Sequence, residues 1–161
     1  MKKFIISFVL LIIILSFTSC RSYKPPAQYN FNKSEIIKKS FDDVWAKIIL
    51  WFGNNNTPIK TIEKASGLIS TEFNLSAENI KQAMDCGSAA SPYRYIDHSG
   101  NFNIIVEKIS DTSTKVTINA FFNCFTGDMN TKTYEYERVG GKVTCNSTGY
   151  LEKELFNYLK Q

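Results

Sequence analysis

Hydrophobic and polar positions alternate most regularly in two neighbouring stretches. Phe102, Ile104 and Val106 recur at every second position, and after a polar turn at Asp111-Thr112-Ser113 the series resumes with Val116, Ile118, Ala120, Phe122 and Cys124. A period of two is that of a strand with one buried face. Lys115, Thr117, Asn119 and Asn123 fall on the opposite face, so one side of this sheet is expected to be covered and the other wet. Phe121 interrupts the wet face and marks a candidate contact point. Upstream the period changes. Phe41, Val44, Trp45, Ile48, Ile49 and Phe52 repeat as one face of a helix. Ser40 can cap its first turn, and Asp42 and Asp43 suit the positive end of the helix dipole. Gly53 and Asn54-Asn55-Asn56 stop it. The spacing makes Trp45 a core residue rather than a ligand-stacking one, and Trp51 is read the same way.

The remaining pattern fills in around these elements. Residues from Tyr29 to Lys38 suit a first, edge-like strand, and Ile59 to Glu63 with Leu68 to Phe73 suit a hairpin turning on Lys64-Ala65-Ser66-Gly67, where Gly67 supplies positive φ. A short helix is expected from Ser76 to Asp85, with Leu75 stapled onto Ile80 and Asp85-Cys86-Gly87 as its end. Ser88 to Gly100 reads as loop. Thr133 to Val139 and Lys142 to Cys145 flank Gly140-Gly141, a two-residue hairpin signal. Ser147-Thr148-Gly149 leads into a closing helix with Leu151, Leu155, Tyr158 and Leu159 on one side and Glu152, Lys153 and Lys160 on the other. Two amphipathic helices need one apolar sheet face to cover. The expected fold is α+β, a two-layer sandwich in which an antiparallel sheet of about five to seven strands carries two main helices on one face.

The first twenty residues follow a different logic. Lys2 and Lys3 precede an apolar run from Phe4 to Phe17 that ends on Thr18-Ser19-Cys20. That run has 14 residues, short of the roughly 20 a spanning helix needs, so it reads as a removable export signal. Phe17-Thr18-Ser19-Cys20 resembles the lipobox of bacterial lipoproteins, which implies that Cys20 is lipidated and becomes the first mature residue. Arg21 is not the Asp that, in that family, retains lipoproteins in the inner membrane, so the resemblance implies the periplasmic face of the outer membrane. The expected organisation is a signal peptide over 1–19, the lipidated cysteine with a flexible tether over 20–28, and one globular domain over 29–161. Pro25-Pro26 keep the tether extended. The segments SFDDVW and IKTIEKASGLISTEF resemble the domain of BamC-type lipoproteins of the outer-membrane barrel-assembly machinery. DCG at Asp85 to Gly87 and CNSTGYLEKEL from Cys145 are similar to segments of small bacterial lipoproteins. These resemblances imply a fold and a compartment, and carry no catalytic residue.

Composition narrows the chemistry. Without the first twenty of its 161 residues the chain keeps 141, enough for one domain with a core. Setting aside Lys2 and Lys3, 17 basic residues face 15 acidic ones, which is no nucleic-acid footprint. Lys33, Lys38 and Lys39 read as a solvated edge. Three cysteines remain beyond Cys20. In an exported domain one pair and one leftover thiol are expected. Cys86 and Cys145 lie at element ends, where backbones approach freely, so Cys86–Cys145 is the first expectation and Cys124–Cys145 the second. Cys124 continues an inward series and suits a buried thiol. With one histidine, His98, and no Cys-x-x-Cys, neither a metal nor another cofactor is expected. No nucleophile elbow or phosphate loop occurs. Asp42-Asp43 suit capping and Glu135 with Glu137 a solvated strand, so no acid–base pair is assigned.

The function expected from these readings is non-catalytic: a lipid-tethered envelope domain that binds another envelope protein. The candidate contacts are Tyr93, Arg94 and Tyr95, with Tyr134 and Tyr136, because aromatics and Arg are enriched at interfaces. The alternative expectation is a carrier gripping a small apolar ligand between helix and sheet.

Overall fold

The computed structural model describes residues 22–71, 73–74 and 82–161. Among the described residues the architecture is α+β, an antiparallel sheet with two long helices. Its centre is one long hairpin. Strand β6 (Arg94–Ser110) and strand β7 (Ser113–Met129) are 17 residues each and pair from Ser110↔Ser113 down to Arg94↔Gly127. Strand β3 (Leu68–Thr71) pairs with the turn-proximal half of β6, and the two-residue β4 (Phe73–Asn74) pairs with Gly100 and Ser99 further along. Strand β2 (Ile59–Glu63) closes that edge. On the other side β7 has two successive neighbours. Strand β1 (Ser34–Ile37) takes its first half and β8 (Tyr136–Ser147) its second, with β5 (Met84–Asp85) outside β8.

The first helix, α1 (Phe41–Asn54), starts where the sequence predicts. The Ser40 hydroxyl accepts the Asp43 N–H at 3.2 Å, and Asp42 and Asp43 occupy the first turn. The closing helix, α2, is Tyr150–Lys160. Val44, Trp45, Ile48 and Phe52 of α1 share a buried cluster with Leu155, Phe156 and Leu159 of α2, and with Ile37, Ile69, Phe102, Ile104, Val106, Val116 and Ile118 of the strands. The even-numbered positions of β7 are therefore the covered ones, as its alternation predicts, whereas Phe121 is half exposed. The β2–β3 turn requires glycine. Gly67 has φ +70° and lies so close to β6 that a Cβ would meet the Val106 carbonyl oxygen at 2.1 Å.

Four expectations are corrected. Met84–Asp85 is not the end of a helix but strand β5, because Met84 pairs with Ser147 and Asp85 with Asn146. Gln82 and Ala83 are helical, as expected, and the part of that predicted helix up to Lys81 lies outside the described residues. The expected loop from Ser88 to Gly100 ends early, at Arg94, where β6 begins. Its strand character is hidden by a bulge between Ile96 and Ser99, with Asp97 at φ 50°, which shifts the alternation by one. Gly140-Gly141 is not a hairpin turn. Strand β8 runs straight through it with a register shift, Lys142 facing Phe125 and Arg138 facing Gly127, so the pair serves as a bulge. The reversal lies at Asn130 to Glu135, where the Asn130 N–H donates to the Glu135 carbonyl and the Asn130 side chain accepts from Lys132 N–H. Finally, Glu152 is not on the wet side of α2. It is only 1% exposed, accepting the Ser147 hydroxyl at 2.7 Å.

Candidate functional site

Two places at the far end of the β6–β7 hairpin concentrate functional side chains, one on each face of the sheet. The first is the disulfide. The antiparallel register Met84↔Ser147, Asp85↔Asn146 carries the next residue of the β5 chain, Cys86, opposite Cys145, and the two are bonded. In β7, Phe122 faces Cys145 and Cys124 faces Val143. Cys124 is thus the diagonal neighbour of Cys145 on the same face, with its Sγ 3.6 Å from Cys145 Sγ. Both sequence-level pairings had a structural basis: Cys145 touches both candidates, and the bond goes to Cys86. His98 arrives from the bulge of β6, half-buried, and its ring nitrogen, Cys86 Sγ and Cys124 Sγ all lie within 4.8 Å of one another.

The electrostatics of this cluster are those of a dry site. Burial pushes the Cys124 thiol up to about 11, so it is protonated at neutral pH. Burial also lowers the His98 imidazole, with Asp97 opposing the shift. A neutral thiol beside a neutral imidazole is no activated nucleophile pair. In front of the disulfide opens a cleft of about 670 Å³, lined by Tyr29, Asp85, Cys86, Tyr93, Arg94 and His98 among others. The segment after residue 21 forms part of its rim. Lys24 and Ser88 exchange two backbone hydrogen bonds, at 3.0 and 2.9 Å, and Asn146 donates to the Ala27 carbonyl at 2.8 Å. Gly87 (φ +71°) admits this crossing, since a Cβ there would meet the Lys24 carbonyl oxygen at 2.0 Å. Burial alone would raise the Asp85 carboxyl, but donors from Gly87 N–H, Ala27 N–H and the Tyr29 hydroxyl outweigh it and hold it below the usual carboxylate range. The Tyr29 hydroxyl is raised in turn by that same hydrogen bond.

The chain shows no match to any protein-family model and none to any curated protein.

The second place is an arginine–aromatic surface on the opposite face. Arg94 stacks over the Tyr136 ring at 5.2 Å, and Arg138 over Phe125 at 3.9 Å while also pairing with Asp97. The paired register Arg94↔Gly127↔Arg138 and Met129↔Tyr136 places these groups side by side. Of the contacts read from the sequence, Arg94 and Tyr136 are brought together, whereas Tyr93, though exposed, lines the cleft in front of the disulfide. Tyr134, 79% exposed, projects from the β7–β8 turn, whereas Tyr95 turns inward against the cysteine cluster. Arg138 and Phe125 were not singled out from the sequence. Their signals were Arg138 two residues beyond Tyr136 and Phe125 four beyond Phe121, each on a shared strand face.

Cys20 lies outside the described residues. No described helix is long and apolar enough to cross a membrane. At the start of α2, burial raises the Glu152 carboxyl, against a lowering hydrogen bond from Ser147. Its second oxygen has no hydrogen-bond partner among the described residues.

Proposed function

We propose that the chain is a lipid-anchored domain of the bacterial cell envelope, non-catalytic, which binds a partner protein through the arginine–aromatic face of β6, β7 and β8. The anchor reading rests on the charged, apolar and small-residue order of residues 1–20 and the lipobox resemblance at Cys20. The binding reading rests on one observation above others: two arginines stacked on aromatic rings on a single exposed sheet face. Such stacking holds the guanidinium groups in fixed positions while leaving their remaining donors available to a partner. Phe121 and Met129, both about half exposed, extend the same face with apolar area. In this reading the fold is a two-layer sandwich, with the helices occupying the opposite face and leaving this one open, as in the BamC-type resemblance.

The carrier alternative would put an apolar ligand between helix and sheet. There Val44, Ile48, Phe52, Ile104 and Ile118 are already completely buried against one another. That packing supports the binding reading over the carrier.

Two measurements test the proposal. Cells fed radiolabelled fatty acid should label the chain, and Cys20→Ser should abolish the label; an unlabelled wild-type chain would remove the anchor. A photo-crosslinking residue at position 136 should yield a discrete protein adduct that the same residue at Lys115, on the other half of the sheet, does not. Adducts to lipid alone, or equal adducts from both positions, would remove the binding face.

A further inference from the structure

The sequence after Cys20 holds three cysteines and one histidine, and the fold gathers them around the disulfide. They are far apart in the chain and come from the β5 end, the β6 bulge, β7 and β8, so no recurrent spacing advertises them. Cys86, His98 and Cys124 place their ligand atoms within 4.8 Å of one another. Cys145 Sγ is bonded to Cys86 and lies 3.6 Å from Cys124 Sγ. In a tetrahedral zinc site with Zn–S bonds of about 2.3 Å, two thiolate sulfurs stand about 3.8 Å apart. The Cys124–Cys145 separation already matches that value. The Cys86–Cys145 pair is too close because it is bonded.

We propose that reduction of Cys86–Cys145 converts this cluster into a Cys3His site for a soft, tetrahedral ion of the zinc class. The conversion is balanced. A dithiol donor gives two electrons and two protons to the disulfide and becomes a disulfide itself, leaving Cys86 and Cys145 as thiols. Metal binding then displaces the protons of Cys86, Cys124 and Cys145, while neutral His98 contributes a ring nitrogen. The cleft lined by Cys86 and His98 is the entry path, and the buried sheet face behind Cys124 keeps water from the far side. The oxidised form lacks two of the four ligands and does not hold the ion. The protein would thus carry a structural crosslink in an oxidising compartment and a metal in its place when a reductant reaches it.

The test uses the full chain in detergent with Cys20→Ser, so that no thiol lies outside the cluster. The disulfide is reduced with a phosphine, which becomes its oxide, and Co2+ is titrated in as the spectroscopic probe. One equivalent should bind with a thiolate-to-cobalt charge-transfer band and tetrahedral d–d bands, displaced by Zn2+, and the oxidised chain should show neither. Losing an outer-shell partner of a metal ligand already costs about 10–100-fold in affinity, so Cys124→Ser and His98→Ala should each weaken binding at least tenfold. A folded, reduced chain without a charge-transfer band would overturn the proposal, as would equal binding by the oxidised chain or by Cys124→Ser. If reduction unfolds the chain, circular dichroism decides: refolding by one equivalent of Zn2+ supports the site, and no response to Zn2+ overturns it.

Discussion

The same two strands, β6 and β7, run through two halves of this molecule that are held together by different means. At the turn-proximal half, fourteen buried apolar residues among those described, from both helices and four strands, make one cluster. At the other half the buried cluster has six members among the described residues, and three of them are cysteines. Of the two helices only the first turn of α2 reaches that half, through Leu151; a two-residue strand and an extended segment supply the rest of its cover. The contrast teaches that continuous strand pairing does not by itself secure a sheet. Where helices supply apolar cover, burial suffices. Where cover is thin, a covalent link replaces it, as in small exported domains with limited cores.

Mutations should separate the two halves. The largest loss is expected from Phe52→Ala, because its ring is completely buried in the larger cluster and packs near Phe102; denaturant unfolding should show a loss of about 3–5 kcal/mol. Replacing both Cys86 and Cys145 by Ser should cost about 4 kcal/mol, since the bond closes a loop with a sequence separation of 59. Hydrogen exchange should then rise in β5 and β8 more than in α1; uniform deprotection would show that the halves are not separable.

A smaller effect is expected at the end of β8. Ser147→Ala removes the hydrogen bond to buried Glu152 and should cost about 1–3 kcal/mol at neutral pH. The sign of its pH dependence follows from the raised Glu152 carboxyl. Stability from that group is complete below the ordinary Glu range and is lost as pH rises through the raised folded value. Ser147→Ala should deepen the loss and Glu152→Gln should remove it, as read from urea midpoints across pH. The smallest change belongs to the surface. Arg138→Ala forfeits a stacking contact and an exposed ion pair and should cost about 0.5–1 kcal/mol, while abolishing the crosslink expected from position 136.

The helix-covered half was largely legible in the sequence. Ser40, the 3.6-residue spacing after it and the alternation on either side of the Asp111-Thr112-Ser113 turn are local signals, and each matches an observed element. The other half was less legible because its strands are defined by irregularity. The bulge at Asp97 breaks the alternation of β6, and the Gly140-Gly141 bulge imitates a turn. Glu152 misled for a related reason: charge predicts exposure, and only the position of Ser147 across the helix start reveals a buried acceptor site. The Cys86–Cys145 pairing was one of three possibilities, and the register of β5 on β8, invisible in a two-residue strand, decides it. The meeting of His98 with the cysteines depends on that same register and on the bulge, so no spacing rule could have found it.

The backbone bonds between Lys24 and Ser88 fasten the chain only four residues after Cys20. Four residues reach at most about 14 Å when fully extended. A chain fixed to a bilayer at Cys20 would hold the rim of the disulfide cleft that near the headgroups, about half the width of a small folded domain. Whatever reduces or loads that cleft would then have to be a small solute, or a protein that reaches in with a slender loop.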